Sequence, residues 1–392
     1  MNILFINDQP MNPLYGGIER VTDILAKAFV KKGQSVYYYT FFTHAGSILD
    51  YDFPAELHML PNKDIQNPQN KQVYLQFLQD KQINLIINQR GLLPQANFFL
   101  EDLPANIRVI SVFHNKPFGY WDVYWQSLFA NRYGIEGWVK CMIKGLLFPY
   151  FLLINKKQEY NQLKHQIEWV VGKSDKAVFL SESYVHLVKD RCQADANKLV
   201  AIPNPNTYDT VQKAEKESMI LYVGRLDAWQ KQSMTILKIW NEVEKKHPHW
   251  HLAIVGHGNQ ESRMLRWAKC HHLQRVEFMG KQDPRPFYEK AQILLLVSNF
   301  EGFPMVVTEA MQHGVIPMVM NTFCAAEMMT DGQSGRILPP FDKLSFVKAL
   351  DELMSDEQQR ISMRKQAEEY VKQFNQEQIT NQWFQLLSQF TM

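Results

Sequence analysis

Short apolar runs, rich in β-branched and aromatic residues, recur along the chain at Ile3 to Ile6, Val36 to Phe41, Leu85 to Ile87, Ile107 to Phe113 and Ala177 to Leu180. They recur again at Met219 to Val223, His251 to Val255, Ile293 to Val297 and Val315 to Met320. Stretches of helical length separate them. Runs that are apolar on both faces belong to parallel strands covered by helices, so the pattern predicts an α/β chain. The triplet Tyr37-Tyr38-Tyr39 fits the same scheme as part of a buried strand. The pattern lapses between Leu199 and Ser218, where Ala201-Ile202-Pro203-Asn204-Pro205-Asn206 leads into the polar Lys213-Ala214-Glu215-Lys216-Glu217. This is poor material for a helix or a strand core and reads as a linker, which predicts one domain over 1–203 and a second over 204–374.

Each half opens alike, with a strand, a glycine-bearing turn and a helix. Ile3 to Asn7 leads to Gly16-Gly17 and a helical pattern ending near Lys31-Lys32-Gly33. Met219 to Val223 leads to Gly224-Arg225 and a helix predicted from about 230 to 246. A ligand between two such lobes would face the carboxyl ends of both sheets. No sequence period accompanies the echo, so it is not a repeat array. The end of the chain, 356–392, reads as two helices with Phe374-Asn375 between them.

Length and charge narrow the picture. At 392 residues the chain exceeds one ordinary core, and roughly 150 residues per domain gives two or three. Lys plus Arg number 42 against 40 Asp plus Glu, a formal charge of only +2, which disfavours a nucleic-acid binder or a disordered acidic or basic tail. Cys141, Cys192, Cys270 and Cys324 lie far apart with no C-x-x-C spacing, so neither a zinc knuckle nor a disulfide framework is expected. The start, Met1-Asn2-Ile3-Leu4-Phe5-Ile6-Asn7-Asp8, does not read as a signal peptide. The apolar run from Gly145 to Ile154 holds Pro149 and is about half the ~20 residues needed to span a bilayer. The expected location is the cytoplasm.

The most informative stretch runs from Val297 to Met311. The strand is expected to end at Ser298, Glu301 falls in the turn, and Pro304 suits the first position of a helix that runs to His313 before Gly314 stops it. Glu301 then stands at the carboxyl end of a strand and Glu309 about a turn and a half into the helix. Both carboxylates could address one ligand, with the N–H groups of Gly302, Phe303, Met305 and Val306 forming an anion-friendly edge. They could equally be a helix acid complementing the dipole and a solvated acid. Upstream, Val223-Gly224-Arg225-Leu226 precedes Gln230-Lys231. Gly224 permits close backbone approach, and a guanidinium and an ammonium six residues apart can clamp a diphosphate, although a lone Arg and Lys on a turn are more often surface residues. Gly256-His257-Gly258 ends the next strand, and a single G-x-G reads first as a plain turn. Neither half carries G-x-G-x-x-G on its first strand turn, which weakens a nicotinamide oxidoreductase reading.

Taken in order, Gly16-Gly17, Val223-Gly224-Arg225-Leu226 with Lys231, Gly256-x-Gly258, and Glu301-Gly302-Phe303-Pro304 with Glu309-Ala310 closely resemble the glycosyltransferase family 4 pattern on the GT-B fold. The resemblance covers most of the chain and is densest in the second half. It implies two facing Rossmann-like lobes with parallel sheets and an interlobe cleft, a final helix over 375–392 packing back on the first lobe, and a retaining, metal-independent transfer of a sugar from a nucleoside diphosphate sugar, UDP-sugar favoured over GDP-sugar. Carried over residue by residue, it implies that Arg225 and Lys231 hold the diphosphate, Glu309 accepts from the ribose hydroxyls, and Glu301 meets the donor sugar. Gly224, Gly256, Gly302, Phe303, Pro304 and Met305 would line the donor, Gly16 and Gly17 would approach the diphosphate, and His114 would stand near the sugar, where a structural histidine at a strand end is the plain alternative. No cofactor or metal is expected, since Asp50-Tyr51-Asp52, an Asp-x-Asp, reads as a solvated loop. One departure is Asn321-Thr322-Phe323-Cys324-Ala325-Ala326-Glu327, where family members carry a glycine- or proline-marked turn before another acid; this puts donor identity in doubt.

From Lys116 to Trp169 aromatic residues (Phe118, Tyr120, Trp121, Tyr124, Trp125) interleave with Arg132, Lys140, Lys144, Lys156 and Lys157. Such a mixture suits sugar stacking, a peripheral contact with the inner face of an anionic membrane, or simply helices packed on the lobe. The expected acceptor is a glycan or lipid-linked glycan in cell-surface polysaccharide or lipopolysaccharide biosynthesis, with no obligate protein partner and no nucleic acid. The alternatives are a disaccharide synthase or phosphorylase of the same fold acting on a small soluble acceptor, and a non-catalytic nucleotide-sugar-binding scaffold.

Overall fold

The computed structural model describes every residue except 10, 14–15, 42–50, 123–138, 140–141, 143–156, 213 and 391–392. The chain forms two compact units, one of Met1–Pro117, Leu153–Thr207 and Gln376–Met392, the other of Phe118–Leu152 and Tyr208–Asn375. The aromatic and basic stretch read from 116 to 169 is therefore split between them, and most of it, with Asp50 of the Asp-x-Asp, lies outside the described residues. Within the second unit Tyr120 sets its ring 5.4 Å from that of Trp229 and 6.4 Å from that of Phe300. Among the described residues no helix is long and apolar enough to cross a membrane.

The first unit holds a seven-stranded sheet of β1 (Asn2–Asn7), β2 (Ser35–Thr40), β3 (Glu56–Met59), β4 (Leu85–Asn88), β5 (Arg108–Phe113), β6 (Lys176–Phe179) and β7 (Leu199–Ala201). The order is β3-β2-β1-β4-β5-β6-β7, parallel throughout. On one face Tyr39, Tyr74, Phe77 and Phe99 interlock edge to face, with centroids 5.0–5.3 Å apart for Tyr39–Tyr74, Tyr39–Phe77 and Tyr74–Phe99. The Tyr74 hydroxyl donates to the Phe99 carbonyl at 3.2 Å, so its polar end is satisfied inside the core. On the other face Phe29, from helix Gly17–Lys31, stacks on Phe5, and Trp383 and Phe384 of the last helix, Gln376–Ser388, pack against Phe29.

The second unit holds β8 (Met219–Val223), β9 (His251–Val255), β10 (Val276–Gly280), β11 (Ile293–Leu296), β12 (Ile316–Met320) and β13 (Arg336–Leu338), ordered β10-β9-β8-β11-β12-β13 and again parallel. Ile220, Tyr222, Trp240, Leu252, Leu295 and Met318 belong to one continuous core beneath it.

Both sheets reverse direction beside their first strand. In the second unit the chain runs outward through β8, β9 and β10, then restarts at β11 on the other side of β8. Crossovers leave β8 and β11 in opposite directions, and the region beyond the carboxyl ends at such a reversal is the usual place for a ligand in sheets of this kind. The β1/β4 junction is the equivalent point in the first unit.

The nine apolar runs are strands to within a residue or two at each end. The four strands that the pattern does not announce are β3, β7, β10 and β13, and these are the outer strands of the two sheets. Their residues are mostly half-buried or exposed, so no continuous apolar run is needed. Thus Leu199–Ala201, read as the start of a linker, pairs with β6. The helix expected over 230–246 is shorter, Ser233–Val243. Pro304 caps the helix Met305–Gln312 instead of occupying its first position. The two C-terminal helices are joined by a 3₁₀ turn, Val371–Phe374.

One glycine contact fixes how the first two strands of the second unit end. Gly256 has φ of +145°, and a Cβ built on it would lie 1.9 Å from the Gly224 carbonyl oxygen. That neighbour is backbone and cannot swing away. Gly256→Ala is therefore expected to lower stability by about 1–3 kcal/mol, read from the urea midpoint. A midpoint unchanged within error would mean that the two strand ends can separate freely.

Candidate functional site

In the second unit the site is built on the loops that leave the carboxyl ends of β8 and β11. After Val223 the backbone turns at Gly224, whose N–H donates to the Val255 carbonyl at 3.0 Å. The next residues are organised by Asp227. Its Oδ1 accepts the backbone N–H groups of Trp229 (3.0 Å), Gln230 (2.7 Å) and Lys231 (3.0 Å), and its Oδ2 accepts from Arg225 Nε at 3.0 Å. One carboxylate thus folds the turn and aims the guanidinium. It also explains why the helix starts only at Ser233: Trp229, Gln230 and Lys231 give their donors to Asp227, and Gln232 is left-handed with φ of +47°. The Arg225 side chain is 63% exposed, so its charge is presented to solvent.

This turn is stitched to the end of β11. Gln230 accepts from Arg225 Nη2 at 2.8 Å, donates through Nε2 to the Phe300 carbonyl at 3.3 Å, and accepts the Asn299 N–H on its own carbonyl at 2.7 Å. Gln232 and Asn299 bond each other side chain to side chain. Lys231 Nζ lies 2.5 Å from Glu301 Oε1, with side chains 18% and 9% exposed. The structure therefore brings Arg225, Lys231 and Glu301 together at the β8/β11 reversal, where two strands neighbouring in space deliver Lys231 and Glu301, 70 residues apart in sequence.

Glu309 sits deeper. It is 1% exposed on helix Met305–Gln312 and accepts from the Tyr288 hydroxyl at 2.9 Å through Oε2. The helix starts at Met305 after Pro304, so the turn of Gly302, Phe303 and Pro304 lies at its amino end, and Phe303 packs its ring against Phe374 at 5.2 Å. Below that turn lies the stretch that departs from the family pattern: Thr322 Oγ1 donates to the Ser298 carbonyl at 2.7 Å, and Cys324 Sγ to the Gly302 carbonyl at 3.4 Å. Two residues that depart from the pattern thus help to hold the glutamate-bearing turn. Gly256 and Gly258 serve close packing: Cβ atoms there would meet the carbonyls of Gly224 and Leu226.

In the first unit the carboxyl ends of β1 and β4 carry a charged network that the sequence did not announce. Arg90 donates through Nε to Asn7 Oδ1 at 2.7 Å, and its Nη2 pairs with Asp8 at 2.5 Å and Glu19 at 3.1 Å. Gly16 caps helix Gly17–Lys31, and a Cβ on it would stand 2.5 Å from Glu19 Oε2. His114 follows β5, with Nε2 2.5 Å from Gln89 Oε1. Burial of its ring, with the Arg90 guanidinium as a second cause, pushes its pKa down to about 3. Asp227, Gln230, Tyr288 and Arg90 are the residues that sequence reasoning missed. Only Asp227 left a local trace, an Asx-type acid ahead of a polar turn; the rest act through contacts distant in sequence.

Among the described residues no group of three or more His, Cys, Asp and Glu is placed to hold a metal ion. The chemical capacity of the second-unit site is that of two oriented cations, one of them exposed, beside a buried carboxylate and a helix amino end.

Parts of the chain are similar to known proteins. Residues 206–372 match the family model described as "Glycosyl transferases group 1". A relative from Haemophilus influenzae, described as an uncharacterized glycosyltransferase, is 29% identical over 214 residues, 53% of this chain and 60% of its own length. A second, from Campylobacter jejuni, is 26% identical over 178 residues, 45% of this chain and 49% of its own length. Its name is GalNAc-alpha-(1->4)-GalNAc-alpha-(1->3)-diNAcBac-PP-undecaprenol alpha-1,4-N-acetyl-D-galactosaminyltransferase. The matches thus span about half to three-fifths of these relatives' length. Among solved structures, Anabaena HepE in complex with UDP and glucose superposes with a TM-score of 0.72 at 14% identity, covering 99% of this chain and 100% of that one. This likeness and the two parallel-sheet units establish the GT-B fold.

The His114 shift carries a pH signature. An exposed histidine titrates near 6.5, so between that pH and about 3 the unfolded chain takes up a proton that folded His114 refuses. Stability from this residue is present above pH 6.5 and is lost progressively as pH falls through that window. Urea midpoints at pH 7.5, 5.5 and 4.5 should fall less steeply for His114→Asn than for the parent. Identical slopes would show that His114 binds protons equally in the folded and unfolded chain.

Proposed function

We propose that this chain is a retaining, metal-independent glycosyltransferase that moves a sugar from a nucleoside diphosphate sugar, UDP-sugar before GDP-sugar, to a glycan or lipid-linked glycan in cell-surface polysaccharide biosynthesis. The observation that carries the reading is the Lys231–Glu301 contact of 2.5 Å with Arg225 on the same stitched turn, at the sheet reversal and within the matched 206–372 segment. The names of the relatives support the class of reaction, and the undecaprenol in one of them supports a lipid-linked acceptor. UDP in the superposed structure supports the choice of base.

The chemistry follows from the charges. Breaking the bond between the anomeric carbon and the diphosphate leaves an oxocarbenium-like sugar and a leaving group whose negative charge grows. Cations already oriented by Asp227, Gln230 and Glu301 stabilise that growing charge without reorganising at the moment of reaction. Arg225 and Lys231 hold the diphosphate, with Gly224 and Gly256 keeping the strand ends low enough for it to approach. Glu309 receives the ribose hydroxyls. Glu301 and the backbone of Gly302, Phe303, Pro304 and Met305 meet the sugar. In the first unit, Gly16 and Gly17 are assigned to the diphosphate and His114, neutral over the working pH range, to the sugar. The aromatic residues of 116–169 are assigned to acceptor choice at the inner membrane face.

Two measurements test this. A thermal-shift screen should show UDP raising Tm more than GDP or ADP, since stabilisation follows affinity for the folded state. Lys231→Ala and Arg225→Ala should each lower donor-consuming kcat on the order of 10²–10³, with turnover in the parent rising when lipid extract supplies the acceptor. Stabilisation by none of the diphosphates, or parental turnover in Lys231→Ala, would sink the assignment.

A further inference from the structure

We propose that Tyr288 is the positioning residue behind the ribose contact: its hydroxyl orients the Glu309 carboxylate so that donor recognition distinguishes ribose from deoxyribose. The inference rests on the assignment of Glu309 to the ribose and adds the residue that makes that contact selective.

A carboxylate at 1% exposure must have its oxygens partnered, because burying an unbonded charge is far more costly than burying a bonded one. Tyr288, itself 0% exposed on the short helix Arg285–Lys290, supplies a hydrogen bond of 2.9 Å to Oε2. A buried phenol donating to a carboxylate fixes the rotation of the carboxylate about its last bond, and so fixes where Oε1 points.

Tyr288 is held far more firmly than a core spacer requires. Its ring stacks on His313 with centroids 5.6 Å apart and planes at 26°, and Tyr208 meets His313 in a T-shaped contact at 5.1 Å. Gln312 pins Tyr208 by its backbone, donating to its carbonyl at 2.6 Å. His313 Nδ1 in turn bonds the Glu309 carbonyl at 2.8 Å, so the ring that supports the phenol is tied to the residue the phenol orients. Lys216 Nζ then donates to the Tyr288 carbonyl at 2.9 Å and the His313 carbonyl at 2.7 Å, which joins the ends of the two helices under one ammonium. Tyr288 alone touches the carboxylate, and His313, Tyr208, Gln312 and Lys216 hold Tyr288 and the helix turn behind it. A spacer would need none of the polar bonds.

The test measures dissociation constants by calorimetry for UDP, 2′-deoxy-UDP and 3′-deoxy-UDP, on the full chain. The parent should prefer UDP over the poorer of the two deoxy forms by about 10-fold or more, the scale of a hydrogen bond to a charged group. Glu309→Gln should bring that ratio close to unity. Tyr288→Phe keeps the stack and removes only the hydroxyl, and should cut the ratio several-fold while leaving deoxy-UDP affinity near the parental value. Tyr288→Met, a second side chain without a donor, loses the ring stack as well as the hydroxyl, should cut the ratio at least as far, and serves if the first variant does not fold. If Tyr288→Phe weakens ribose and deoxyribose forms equally, or keeps the parental ratio while Glu309→Gln abolishes it, the positioning role is overturned and the donor assignment stands. If Glu309→Gln keeps the parental ratio, the ribose assignment of Glu309 itself falls.

Discussion

The ion pair between Lys231 and Glu301 is the point on which the second unit's site depends. A buried or half-buried ion pair is weak as a source of stability, because desolvating both charges offsets most of their attraction. Its value here is positional. It holds the turn after β8 against the turn after β11, two segments joined otherwise by the hydrogen bonds of Gln230, Gln232 and Asn299. Without it an ammonium on a flexible four-carbon stem would sample many positions; with it, the charge stands at one place beside a helix amino end. The same side chains are poor structural choices and good ones for meeting an anion.

The parallel sheet supplies the rest. Because β8 and β11 are neighbours in space and their crossovers depart in opposite directions, the loops beyond them meet at the carboxyl ends of the two strands. The glycines are needed where those loops crowd: the clash that a Cβ at Gly256 would make with Gly224 shows how closely the strand ends approach. Arg225 stays exposed because Asp227 and Gln230 hold it from below. The arrangement places charge at the surface with its supporting bonds already made, as stabilising a leaving diphosphate requires.

Much of this is legible in the chain alone. Inner strands such as Met219–Val223 and His251–Val255 are buried on both faces, and that burial forces the continuous apolar runs that reveal them. Outer strands such as Val276–Gly280 and Arg336–Leu338 have one neighbour and a wet side, so their residues are mixed and local pattern is silent. Likewise Arg225, Lys231, Glu301 and Glu309 stood out as charges beside glycine and proline turns. Tyr288 and Arg90 did not. A tyrosine in Arg285–Lys290 looks like any core aromatic, and only the fold carries its hydroxyl to a glutamate 21 residues on. Arg90 meets Glu19 across 71 residues, a distance no window on the sequence spans.

Whether two oriented side chains grip a diphosphate is read from affinities for UDP and UMP in the parent and in the Arg225→Ala, Lys231→Ala double variant. The parent should prefer UDP by at least about tenfold, since charge-assisted bonds to the second phosphate are lost in UMP, and the double variant should bind both with similar weakness. A double variant that keeps the parental preference for UDP would contradict it.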